Sequence, residues 1–235
     1  MPGSILVARV AGIPIHAHAT FVLVLIYGAV QWGRGGGVAG MAFGVLATLV
    51  IFVGVALHEL GHAVVARRVG IPVLGIVLLP IGGVAALGRN PERPRQELVI
   101  ALAGPLVNVA LAIPLALALA LVGMQPALQT ASYGLPGWRS LLAIAFMANL
   151  ALAAFNLLPI FPLDGGKVLR ALLALRLGRR RATRISAGLG QGSAILLGAW
   201  AFATGQAMLS LIAVFLFFAA AQERRMVLRG DATGR

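Results

Sequence analysis

The sequence contains no cysteine, a single lysine and only six acidic residues among its 235 positions. The lack of cysteine rules out disulfides and thiolate metal ligands, leaving histidine and carboxylate for any metal. Charged residues make up only 11% of the chain while 60% is hydrophobic, and the mean hydropathy is +0.97. A soluble domain of this size could not hide so much apolar surface, so the chain is expected to be one integral membrane domain spanning residues 1–235. Aromatic residues are scarce, at 6%, and none interleave with the basic cluster at 179–184, so the net charge of +13 does not describe a nucleic-acid platform. The N-terminus lacks a basic stretch followed by a short apolar segment and a cleavage site, so the first apolar segment is expected to be retained. No internal repeat, soluble appendage or low-complexity tail stands out.

What is there is a series of apolar runs near the ~20 residues that cross a bilayer. They fall at about 20–30, entered through the less apolar IPIHAHA, then 38–66, 98–122, 140–158, 185–203 and 207–222. Glycines 33–37 and the Gly/Pro-rich residues 123–138 read as loops. Residues 71–88, IPVLGIVLLPIGGVAALG, are too short and too rich in Gly and Pro for a spanning helix. They read as a short β-hairpin or re-entrant loop, which survives at membrane depth only where protein or a watery cavity satisfies its backbone. The predicted fold is therefore an all-α polytopic membrane protein with about six transmembrane helices and a re-entrant hairpin after the second. With both termini in the cytoplasm, all 19 basic residues except Arg34 and Arg139 lie inside, as the positive-inside rule requires. The Ala/Arg/Gly-rich, lysine-poor composition suggests a GC-rich bacterial genome, and with it the plasma membrane.

Against that background FVGVALHELGHAVVARR, residues 52–68, is anomalous, because ionisable side chains inside a spanning helix are expensive and rare. His58 and His62 are four residues apart, so on a helix they share a face and can bind one metal. Glu59 sits about 100° around the helix from His58, where it can address a water rather than the metal and act as a general base. Two core histidines bonded to carbonyls would be the bland reading, but it buries a carboxylate with no named partner.

Zinc catalytic sites commonly use three protein ligands. Glu92 and Glu97 lie in or beside a basic loop, and Glu223 and Asp231 lie in the basic C-terminal segment. Asp164 alone follows an apolar span, in the turn Pro-Leu-Asp-Gly-Gly, and is the leading third ligand, although Asp is also a common helix N-cap. His16 and His18 remain alternative ligands near the membrane entry.

HELGH together with NLLPIFPLDGG at 156–166 resembles the site-2 protease family of intramembrane zinc metalloproteases. GIPIHAHATF, Gly82 and Gly83, and AGPLVN at 103–108 are similar to further family features, and the resemblance covers roughly residues 5–225. It implies one Zn2+ held by His58, His62 and Asp164, with Glu59 activating water. It implies that Asn156 positions substrate or stabilises a developing oxyanion, although an interhelical hydrogen bond would also account for that residue. The hairpin around Gly82 and Gly83 would pair with an unwound substrate strand. The implied partner is a single-span membrane protein such as an anti-sigma factor or another membrane-tethered regulator, cut within the lipid bilayer. The PDZ-like insertion and C-terminal CBS pair of some members are not expected in this protein. A membrane metal transporter would need polar ligands strung along a path, and a catalytically silent scaffold would have no use for Glu59.

Overall fold

The structure, a computed structural model, describes residues 3–123 and 136–230. Most of the 123–138 loop, and Asp231, therefore lie outside the described residues. Four strands and six helices are described: β1 (Ser4–Val10), β2 (Ile13–His18), α1 (Phe21–Arg68), β3 (Val73–Leu79), β4 (Gly82–Leu87), α2 (Pro94–Val122), α3 (Trp138–Asn156), α4 (Asp164–Leu177), α5 (Arg179–Ala203) and α6 (Ala207–Gly230). They group into two compact units, residues 1–90 with 103–154 and residues 91–102 with 155–235.

In the first unit α1 breaks at Gly37, whose φ of 56° and ψ of −145° are not helical. The two arms fold back on each other about that point. A Cβ on Gly44 would lie 2.1 Å from the Gly28 carbonyl oxygen, and one on Gly40 would lie 2.3 Å from that of Trp32. Farther from the turn, Phe21 meets Phe52 edge to face at 4.7 Å. Small residues let the two backbones approach this closely. The glycines at 33–37 thus make a tight reversal, and helix continues to within one residue of it on either side.

The hairpin at 71–88 is only half of a β-structure. The sheet runs β1-β2-β3-β4, with β1–β2 and β3–β4 antiparallel and β2–β3 parallel. IPIHAHA is thus not the entrance to a span but largely strand β2. Its alternation carries the reason: Ile13 and Ile15 turn into the core while their neighbours stay partly exposed. With Ile76 and Leu78 they pack on Phe52, Val55 and Ala63 of α1, seating the sheet beside the histidine-bearing arm. The reversal between β1 and β2 uses positive φ at Ala11 and Gly12, and Arg67 at the end of α1 donates to the Ala11 carbonyl at 2.5 Å.

The second unit holds α4, α5 and α6. Gly178, with φ of 76°, separates α4 from α5. Alanines 182, 187, 194 and 201 of α5 are buried, as are Ala213, Leu216 and Ala220 of α6. α1, α2, α3 and α5 are long and apolar enough to cross a membrane, and α6 has a shorter apolar stretch, Leu209–Gln222. Large apolar side chains such as Val38, Leu121 and Phe202 are more than four-fifths exposed, as lipid-facing residues are.

Candidate metal centre

His58, Glu59 and His62 lie on the second arm of α1, one turn and more before Arg67 and Arg68 close the helix. Both histidines are buried. Their rings stand edge to face with centroids 4.7 Å apart, and the two Nε2 atoms approach to 3.1 Å. Two nitrogens held by one tetrahedral zinc, each ~2.0–2.1 Å away, would be about 3.3 Å apart. The pair therefore has the spacing a shared ion needs. Gly104 of α2 leaves the space beside them open: a Cβ there would lie 2.3 Å from Nε2 of His62 and 2.6 Å from Nε2 of His58. A donor set of neutral imidazoles with no thiolate suits zinc.

The other ring nitrogen of His58 is also engaged. Nδ1 lies 2.5 Å from Oδ1 of Asn108, in a buried contact. Asn108 in turn reaches Asn149 of α3 at 2.7 Å. Neither amide is singled out by the sequence reading, although each is a polar side chain inside an apolar span, the same anomaly that marks His58. AGPLVN at 103–108 contains both Gly104 and Asn108, so that motif forms one wall of the histidine pair.

Glu59 is half-buried and accepts a hydrogen bond from the Ala85 N–H of β4, 3.0 Å from Oε2. Strand β4 approaches so closely that a Cβ on Gly83 would stand 2.5 Å from Cγ of Glu59. Gly82 has φ of 136°, a conformation side chains rarely adopt. The two glycines thus have separate reasons: Gly82 shapes the turn and Gly83 makes room for the carboxylate.

In the second unit Asp164 is buried and opens the first turn of α4. Leu163 occupies the N-cap position, so Asp164 is not the cap. A carboxylate in a first turn is favoured by the helix dipole. Lys167 donates to its Oδ1 at 2.9 Å. The preceding chain is folded tightly on the two glycines, since a Cβ on Gly165 would sit 2.3 Å from the carbonyl oxygens of both Leu157 and Leu158. Asn156 ends α3, half-buried. Glu97, one of the acidic residues left aside as a ligand, is buried and engaged by Arg170, whose Nε donates to its Oε1 at 2.7 Å. The Arg170 guanidinium also lies 5.0 Å from the ring centre of Phe161. His18 pairs with Thr20 at 2.7 Å, and His16 lies on β2 opposite Val77; neither belongs to the residue set that can hold a metal among the described residues.

Comparison with known proteins agrees with these features. Residues 46–199 match the model of Peptidase family M50, and the chain belongs to that family. It is 34% identical over 230 residues to a zinc metalloprotease of Methanocaldococcus jannaschii, covering 95% of this chain and 61% of that protein. It is 30% identical over 174 residues to stage IV sporulation protein FB of Bacillus subtilis, covering 74% of this chain and 56% of that one. Among solved structures it is similar to a site-2 protease from Methanocaldococcus jannaschii, with a TM-score of 0.64 and 34% identity over 94% of this chain and 95% of that chain. The chain thus spans about three fifths of the length of these two relatives. Its apolar helices and its family make it a membrane protein.

Proposed function

We propose that this chain is an intramembrane zinc metalloendopeptidase that hydrolyses peptide bonds in or near transmembrane segments of membrane proteins. The observation that carries the reading is the convergence of the two Nε2 atoms beside a carboxylate that is not part of the pair, on one spanning-length helix. His58, His62 and Asp164, each of them buried, are the residues proposed to hold the metal. They would hold one zinc per chain. A site-2 protease as structural neighbour supports the same reading.

Zinc, when bound, supplies Lewis acidity, polarising a carbonyl and making water more acidic. Glu59 does the proton work. The Ala85 N–H holds Oε2, leaving Oε1 to take a proton from the attacking water and return it to the leaving amine. The substrate must arrive unwound, because a helical peptide bond is shielded by its own hydrogen bonds and side chains. Strand β4 ends the sheet, and its edge offers the unwound segment a backbone partner around Gly82 and Gly83. Asn156, at the end of α3, would position that segment or stabilise the developing oxyanion.

The two arms of α1 with α2, α3, α5 and the apolar part of α6 give six spans of a multi-pass plasma-membrane protein, with both termini cytoplasmic. The substrate would be a single-span membrane protein such as an anti-sigma factor or a membrane-tethered regulator, embedded in the same bilayer. Zinc content of the detergent-purified protein tests the centre: about one zinc in the wild type, lost in His58→Ala and Asp164→Ala. Glu59→Gln should keep the zinc and lower cleavage of a single-span reporter by at least ~100-fold. Zinc retained in Asp164→Ala would sink the three-ligand centre, and unchanged cleavage by Glu59→Gln would sink the proposed base.

A further inference from the structure

The proton on the His58 ring can be assigned from a backbone carbonyl two residues of side chain away. Nδ2 of Asn149 lies 2.9 Å from the Ala145 carbonyl oxygen, which can only accept, so this end of the amide is the NH2 group. Its Oδ1 therefore faces Asn108, 2.7 Å from Nδ2, and that contact needs the Asn108 NH2 as donor. The Gly54 carbonyl, 3.4 Å from the same nitrogen, makes the same demand independently. The Asn108 oxygen is then left facing Nδ1 of His58 at 2.5 Å, so Nδ1 must carry the proton. A neutral imidazole with its proton on Nδ1 has a lone pair on Nε2. That is the atom that converges on His62 beside Gly104.

We propose that Asn108 and Asn149 are positioning residues, a neutral relay that fixes His58 in the tautomer able to bind a metal and holds its ring in the plane required. The inference rests on the zinc reading of the His58–His62 pair. All three residues of the relay are buried, His58 at 4%, Asn108 at 0% and Asn149 at 5% exposure, so water does not compete for these bonds. The relay crosses from α1 through α2 to α3, and an isolated amide in a spanning segment finds a partner in this way. A free imidazole favours neither tautomer strongly enough to keep Nε2 open, and a ring that exchanged protons or turned would lose metal affinity.

The test is zinc affinity in detergent, measured by competition with a chromophoric chelator, for wild type, Asn108→Ala, Asn108→Asp and Asn149→Ala. Loss of an outer partner of a ligating histidine weakens metal binding by ~10–100-fold, which is the expectation for Asn108→Ala. Asn149→Ala should weaken it less, because Asn108 keeps its longer bond to the Gly54 carbonyl. Asn108→Asp should bind zinc nearly as wild type, since a buried carboxyl group that keeps its proton can donate to Oδ1 of Asn149 while its other oxygen accepts from Nδ1–H. A merely structural amide predicts instead that the variants leave the His58 tautomer as it is in wild type. In zinc-free protein labelled with 15N-histidine, the wild-type His58 signal should show a protonated Nδ1, and Asn149→Ala should show a mixture of tautomers. Asn108→Asp as weak as Asn108→Ala, or a wild-type His58 protonated on Nε2, overturns the relay. Wild-type protein that binds no zinc while showing the expected tautomer would overturn the metal reading on which the relay rests.

Discussion

The two segments that carry the proposed ligands are secured by different means, and the difference follows from the side chains themselves. On α1 His58 is held by side chains, with a bonded chain of two amides behind it. At the start of α4, the backbone next to Asp164 is closely packed, with Gly165 pressed against the Leu157 and Leu158 carbonyls and Leu163 at the cap position. An imidazole has two unlike nitrogens, so it must be told which one to present as well as where to stand. A carboxylate has two equivalent oxygens and needs only to be placed. The amide relay answers the first need, and close glycine packing answers the second.

If placement is what α4 needs, the strongest blow to that segment should come from its anchor rather than its surface. Arg170 and Glu97 form a buried pair with both partners less than a tenth exposed. Removing one partner of such a pair leaves a buried charge and typically costs ~3–5 kcal/mol. Glu97→Gln should destabilise the protein by that amount in a detergent unfolding titration. Glu97→Leu with Arg170→Met, which removes both charges, should recover most of the loss. A single variant as stable as wild type would mean that the pair is not what anchors α4.

On the histidine side, the sharpest perturbation fills space. Gly104→Ala puts a methyl group within 2.6 Å of both Nε2 atoms. Because the neighbours are the proposed ligand atoms on a packed helix, zinc affinity should fall by at least ~100-fold, more than the loss of an outer hydrogen-bond partner. Unchanged zinc content would show that the metal does not use the space beside Gly104. Gly83→Ala acts one step away. Its methyl group would collide with Cγ of Glu59, so it should lower turnover by ~10–100-fold through a displaced base while zinc affinity stays near wild type. Zinc affinity and turnover falling together would place Gly83 in the metal centre instead.

These variants also mark how far the sequence could be read. HELGH stands out in the sequence because helical periodicity puts residues four apart on one face, and Asp164 is the proposed third ligand because so few acidic residues compete with it. Of the six apolar runs, four helices and a shorter stretch in α6 have the apolar character expected, the first two runs being arms of one helix, and the glycine loop expected at 33–37 is a break at Gly37 alone. Strands β1 and β2 were not legible, because a two-residue alternation is hard to see in a chain where the alternate residues are also mostly apolar. The relay was not legible either. Nothing local in LVN or MAN pairs Asn108 with Asn149, 41 residues away; only the packing of α2 and α3 brings them together. The rule that makes His58 conspicuous, a polar side chain inside a spanning helix, applies equally to both amides. Glu97 illustrates the opposite difficulty: read from its loop it is a solvated carboxylate, and only the fold buries it against Arg170.

The smallest expected effect is at Lys167, and it bears most directly on whether Asp164 is placed or wired. Lys167 donates to Oδ1 of Asp164 at 2.9 Å, but its side chain is 41% exposed while that of Asp164 is 5% exposed. A half-solvated ammonium on a flexible stem is screened, and such pairs contribute only ~0.2–1 kcal/mol. It also competes with any metal for the same carboxylate. Lys167→Met therefore has two opposed consequences for zinc: it removes a rival cation, and it removes a contact that restrains the carboxylate. If backbone packing at Gly165 already fixes Asp164, the restraint is redundant, and Lys167→Met should hold zinc as tightly as wild type or up to ~3-fold more tightly, with stability lowered by less than ~1 kcal/mol. A drop in zinc affinity of ~10-fold would instead mean that Asp164 depends on a side-chain partner as His58 does, and the contrast between the two segments would disappear.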